Sequence, residues 1–359
     1  MSSGARGSVA VVGGGVIGLS VAWRAASAGF AVTVFDPAPG AGASAVAGGM
    51  LAPVTEAWPG EETLLELGSE SLRRWPGFAG ELAAASGRDP GLRAEGTLVV
   101  AVDAADRAEL TALAEYLGTL GRDTEALTGR QVRALEPALG PSVRSGLSVP
   151  GDLAVDNRMV LAALLAACGE IDRAEVAEVG PGTVRLTDGA TRGFDTVVLA
   201  AGAWSGRLYE PLRQVVRPVK GEILRLRATR FTVPPPTRTV RCSVQGNHVY
   251  LVPRDDGGLV VGATQYEAGF DTVVTAGGVR NLLRWAEQVL PSISEYEFVE
   301  CAAGLRPGSK DNLPLIGELE PGLLVATGHH RNGMLLAPIT ADLVLSCLLG
   351  EKPPTGGVL

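Results

Sequence analysis

The 359-residue chain is 46% hydrophobic and 19% charged, which supports a sizeable buried core in one large domain or two ordinary ones and excludes a disordered chain. Its net charge of -8 and pI near 5.1 exclude a nucleic-acid partner, which needs clustered Lys and Arg, and point to a small-molecule ligand. No apolar run reaches the roughly 18 residues of a membrane-spanning helix, so a soluble, cytoplasmic protein is expected.

The stretch "VAVVGGGVIGLSVAWRAASAGFAVTVFD", Val9 to Asp36, predicts a strand, a glycine turn, a helix and a second strand ending in an acid. Gly13, Gly15 and Gly18 fit G-x-G-x-x-G, and Asp36 follows Gly13 by 23 residues. Glycines there permit a tight turn and let a pyrophosphate approach a helix N-terminus, whose dipole favours anions. Asp36 is placed to accept hydrogen bonds from a ribose diol. A dinucleotide site follows, although the motif does not separate NAD from FAD.

Next come a loop rich in Gly, Ala and Pro over 37–53 and helical spacing over 61–87, which Pro76 is expected to break into two helices. Residues 96–103 predict a strand, 104–121 an amphipathic helix, and 157–170 another helix. "GFDTVVLAAGAWS" runs a strand into a glycine turn. "HVYLVPR" and "GLVVGAT" predict a hairpin joined through Asp255 to Gly258, and residues 321–350 read as strand, glycine-rich turn and helix. Cys168, Cys242, Cys301 and Cys347 form no CxxC pair, so reduced, buried and inert thiols are expected. Nucleotide-domain signals at both ends with a strand-rich middle predict an α/β fold, α+β overall, whose nucleotide domain is discontinuous.

Three distant pieces favour FAD. "SAVAGGML", Ser44 to Leu51, is a small-residue loop that lets backbone pass close to a flat ring; "VVLAAGAWS" is a second strand-glycine turn; "GHHRNGMLLAP", Gly328 to Pro338, is a turn feeding a helix, able to aim N–H groups at a ring edge that gains negative charge on reduction.

With "AGGMLAP", "AGAWS" and "AGLRPGSKDNLPLIG", these pieces resemble the FAD-dependent amino acid oxidase family that includes D-amino acid oxidase, sarcosine oxidase and glycine oxidase, and within it the glycine oxidase branch of thiamine biosynthesis. The resemblance covers nearly the whole chain. It implies a Rossmann-like FAD-binding domain over 1–90, 151–215 and 300–359, and a substrate-binding domain over 91–150 and 216–299 on a mixed, largely antiparallel sheet. Besides Gly13, Gly15 and Gly18, it implies FAD contacts at Val16, Ile17, Asp36, Ser44, Gly48, Gly49, Met50, Val176 and Gly202, with His329, His330, Arg331, Asn332, Gly333, Met334 and Leu335 along the flavin ring.

By the same resemblance, substrate contacts fall on Arg306, Arg331 and Tyr250, with His248 and Gln265 bordering the pocket. Gln265 departs from the family, where an apolar residue is expected. Cys301 lies near the position where sarcosine oxidases tether their flavin; the following "AGLRP" keeps the glycine oxidase pattern, so non-covalent FAD is expected.

The residues support a mechanism. A guanidinium at Arg306 can grip an amino acid carboxylate bidentately, where the alternative is an ion pair with Asp311. Arg331 either joins that grip or serves the flavin through its backbone, and Tyr250 either hydrogen-bonds the carboxylate or packs as a strand aromatic. Three histidines without a converging carboxylate or Cys pattern give no metal site. The expected reaction is hydride transfer from the α-carbon of a neutral amine to flavin, then O2 reoxidation to peroxide; the resemblance to the family implies a homo-oligomer, dimer or tetramer, as the assembly. The rivals are a D-amino acid oxidase, a dehydrogenase passing electrons to another acceptor, an NAD enzyme, and a silent flavin-binding protein. Two buried cations, Arg306 and Arg331, argue against the last.

Overall fold

The computed structural model describes residues 6–351. Residues 1–5 and 352–359, expected at the two ends of the nucleotide domain, lie outside them. Six strands form one sheet in the order Leu315–Glu320, Leu323–Thr327, Thr196–Leu199, Ser8–Val12, Ala31–Phe35 and Glu170–Asp172. All neighbours run parallel except Leu315–Glu320, an antiparallel edge. Burial on both faces explains why "VAVV" reads as unbroken apolar sequence rather than as alternation. Val9 and Val11 face a core built with the helices Val16–Ser27, Glu62–Ser86, Asn157–Ala167 and Gly333–Leu348, while Ala10 and Val12 face the antiparallel strands Val176–Gly180 and Thr183–Leu186.

The second sheet has eight strands, in the order Glu297–Gly308, Arg217–Arg227, Gly258–Gly262, Asn247–Pro253, Thr239–Val244, Thr97–Ala101, Ser145–Val149 and Glu125–Thr128. Only Thr239–Val244 and Thr97–Ala101 pair in parallel, so the sheet is mixed and largely antiparallel. The helix Ala276–Val289 packs Leu282, Ala286 and Val289 on one face of it. The domain boundary expected at 300 falls inside Glu297–Gly308, which pairs along Arg217–Arg227 throughout the eight-stranded sheet.

Two sequence expectations are corrected. Glu62–Ser86 is one helix of 25 residues with Pro76 inside it, not two. Proline removes one backbone donor, but Trp75 and Phe78 on either side of it are buried and Trp75 Nε1 donates to the Leu335 carbonyl at 3.0 Å, so tertiary packing holds the helix through the break. Nor are the cysteines uniformly buried: Cys242 is, Cys168 and Cys347 are half-buried, and Cys301 is exposed. Cys301 sits near the outer start of an edge strand that has a neighbour on one side only. Among the described residues no helix is long and apolar enough to cross a membrane.

Candidate active site

A cavity of about 1470 Å3 runs from the carboxyl ends of the parallel strands, at Val12, Phe35 and Ala200, to the inner face of the eight-stranded sheet at Gly221, Arg241 and Tyr250. A ligand seat at the carboxyl edge of a doubly wound sheet is where this topology leaves a crevice. The volume exceeds the roughly 300–1,000 Å3 of ordinary small-molecule pockets, as an extended dinucleotide plus a substrate requires.

The glycine turn is shaped by contact. Gly13 adopts φ +117, and a Cβ there would sit 2.3 Å from the Ala200 carbonyl oxygen. Gly18 packs its helix against the turn, where a Cβ would lie 1.9 Å from the Gly13 carbonyl oxygen; it does not line the cavity, whereas Gly13, Gly15, Val16 and Ile17 do. The Val16 N–H donates to Ser44 Oγ at 3.0 Å, which fixes the second loop against the first. Asp36 lines the cavity while its carboxylate accepts the N–H groups of Gly14 (2.6 Å) and Ala38 (2.8 Å). Ser44, Gly48, Gly49, Met50, Val176 and Gly202 line it too. The narrow cradle at Gly48, where a Cβ would fall 2.8 Å from the Tyr250 ring, fits a flat ring approached by bare backbone.

At the carboxy-terminal turn His329, His330, Arg331, Gly333 and Met334 line the cavity; Asn332 and Leu335 do not. Leu335 is in the core, its carbonyl accepting from Ser71 Oγ and Trp75 Nε1. Burial drives His329 down to about 3 and His330 to about 4, so both imidazoles are neutral near pH 7.

Arg306, Tyr250, His248, Gln265 and Arg331 line the same cavity. Arg306 donates through Nη1 to the Thr264 carbonyl at 3.2 Å, and among the described residues no carboxylate lies within ion-pair distance of it. Asp311, the alternative partner, instead accepts the Leu313 N–H. Arg331 differs from expectation: its Nε lies 3.2 Å from Glu56 Oε2 and its Nη2 3.5 Å from Glu61 Oε2, so its charge is already compensated. Of Arg306 and Arg331, then, only Arg306 is without a carboxylate partner among the described residues. His248 stands at the exposed rim with its ring edge-on to Trp58, and Gln265 is exposed at the mouth.

Glu56 and Arg241 were not foreseen. Glu56 is pinned between Arg241 and Arg331; burial, the largest single influence, works to raise its pKa, and the two guanidiniums together hold it below the usual carboxylate range. Nothing in "TEAWPG" signals a partner 185 residues away.

Residues 8–346 match the family described as DAO, FAD dependent oxidoreductase. The chain belongs to that family. The glycine oxidase of Geobacillus kaustophilus (strain HTA426) is 35% identical over 353 residues, covering 94% of this chain and 92% of that one. A putative thiamine biosynthesis oxidoreductase ThiO of Rhizobium etli is 36% identical over 348 residues, covering 96% and 97%. The crystal structure of glycine oxidase from Geobacillus kaustophilus superposes with a TM-score of 0.89 at 33% identity, over 97% of this chain and 96% of that one. With the family comes its cofactor, FAD, for which the glycine turn, the bare 48–49 backbone and the length of the cavity are suited.

Proposed function

We propose that this chain is a glycine oxidase: it oxidises glycine, and with it sarcosine and small D-amino acids, and supplies the thiazole branch of thiamine synthesis. With glycine the overall reaction is glycine plus O2 plus water to glyoxylate, ammonia and H2O2. The observation that carries the reading is Arg306, a guanidinium on the cavity wall without a carboxylate partner among the described residues. An uncompensated buried cation is costly, and an amino acid carboxylate is the anion that satisfies its planar fork bidentately.

FAD, when bound, supplies the hydride acceptor. Arg306 anchors the carboxylate with the Tyr250 phenol beside it, and this fixes the α-carbon between the anchor and the cavity wall formed by His329 to Arg331. The amine must be neutral for its lone pair to assist as the C–H bond breaks. His329 and His330, neutral near pH 7, add no charge to the cavity wall, and positioning is the chain's main contribution. Because Glu56 and Glu61 occupy Arg331, a monocarboxylate suits the remaining charge.

Under this reading the parallel-sheet part binds FAD and the eight-stranded part binds substrate. Cys301, exposed and away from the cavity lining, supports a non-covalent flavin. We place the enzyme in the cytoplasm as a homo-oligomer using O2. The test is anaerobic addition of glycine, sarcosine and D-alanine to the purified yellow protein. Flavin bleaching with glycine, then peroxide on admitting air, is expected. Failure of all three to bleach it would overturn the substrate assignment.

A further inference from the structure

Asn157, Arg225 and Arg254 meet behind residues 44–49, on the side away from the cavity, and none of the three lines it. Asn157, fully buried, donates through Nδ2 to the carbonyls of Ser44 (2.8 Å) and Ala45 (3.0 Å). Its Oδ1 accepts from Arg225 Nη2 at 3.2 Å and Arg254 Nη2 at 3.3 Å. Arg225 also reaches the Ala45 carbonyl at 3.0 Å, and Arg254 the Gly48 carbonyl at 2.8 Å. Both arginines come from the eight-stranded part of the fold, Arg225 within Arg217–Arg227 and Arg254 just past Asn247–Pro253. Asp156, 3.0 Å from Arg254, and Glu300, 3.9 Å from Arg225, compensate their charge.

Two guanidiniums side by side, one of them 8% exposed, are an expensive way to hold a loop. Peptide geometry gives them a use. In a planar trans peptide the C=O and N–H point in opposite directions. With the Gly48 carbonyl drawn back to Arg254, the Gly49 N–H is turned towards the cavity, which Gly48, Gly49 and Met50 line. The far side is held as firmly: the Val155 N–H donates to the Gly49 carbonyl at 2.8 Å, and Gly49, at φ +86, has no room for a Cβ, which would lie 2.1 Å from the Val155 oxygen.

We propose that Arg254, supported by Arg225 and Asn157, is a positioning residue that aims and polarises the 48–49 peptide towards the flavin, raising both FAD affinity and the ease of flavin reduction. A fixed dipole with a cation behind it stabilises the negative charge the ring gains on reduction. The inference rests on the FAD reading above.

The test is FAD titration of apoprotein and the midpoint potential of holoprotein for wild type, Arg254→Met and Arg254→Lys. FAD dissociation constants at least tenfold higher for Arg254→Met, with a more negative potential, are expected. Arg254→Lys, which keeps the charge but loses the fork, should fall between. Circular dichroism and the apoprotein's melting temperature check folding, and if Arg254→Met does not fold, Arg254→Lys decides alone. Affinity within twofold of wild type, or weakened binding with an unchanged potential, would overturn the proposal. Wild-type apoprotein that takes up no FAD would instead sink the FAD reading on which it stands.

Discussion

The place of Arg306 on the cavity wall agrees with what its surroundings suggested, an arginine between Gly304 and Pro307 in a largely apolar stretch. Glu56 was not legible, because its meaning comes from Arg241 and Arg331, brought to it from two other parts of the chain. The same contact explains why Arg331 was only half read: its place on the cavity wall followed from the motif, its compensation by Glu56 and Glu61 did not. Arg306→Ala should lower kcat/KM for glycine roughly 10²-fold, about 3 kcal/mol of lost binding to a desolvated carboxylate. FAD affinity should stay within twofold. Peroxide assays and FAD titration measure the two; equal losses in both would mean that Arg306 supports the fold or cofactor rather than the substrate.

Elements marked by periodicity and punctuation were read correctly, among them the opening strand-turn-helix-strand, the hairpin of Asn247–Pro253 with Gly258–Gly262, and the closing helix Gly333–Leu348. Pro76 misled because its local cost is visible in sequence, whereas the burial of Trp75 and Phe78 that outweighs it is not. Pairing register was equally hidden, and it shapes the site. Gly221 in Arg217–Arg227 stands opposite Gly304 in Glu297–Gly308, and a Cβ on Gly221 would fall 2.3 Å from Arg306 Nη1. The obstructed group is the end of a flexible side chain, so Gly221→Ala should fold normally, with a melting temperature within a few degrees of wild type, while displacing the guanidinium. We expect KM for glycine to rise at least tenfold. An unchanged KM would show that the fork has room to shift without losing its grip.

At the scale of the whole molecule, the family and the fold class were legible because motifs at both ends bracket a strand-rich middle, and the six-stranded sheet does draw its strands from both ends of the chain. Deeply buried polar groups, the imidazoles of the cavity wall and the Asp152 carboxyl outside its lining, make stability depend on pH in two opposed ways. Burial holds His329 at about 3 and His330 at about 4, against about 6.5 in an unfolded chain. Unfolded protein therefore binds protons that the native state refuses, and stability is lost as pH falls below about 6.5. Asp152, fully buried with Thr55 Oγ1 donating to it at 2.8 Å, is pushed by burial up to about 7. Here the native state keeps a proton that the unfolded chain releases near pH 4, so stability is lost as pH rises from about 4 to about 7. Single substitutions separate the two. Relative to wild type, the melting temperature of Asp152→Asn should improve steadily from pH 5 to pH 7 and then level off. That of His329→Gln should improve in the other direction, from pH 6.5 down to pH 5. Thermal melts at pH 5, 6.5 and 8 are enough to check this: a His329→Gln difference that does not change with pH would mean that the imidazole does not titrate as its burial requires, while a flat difference for Asp152→Asn would mean that the carboxyl stays ionised across this range, with Arg241 outweighing burial.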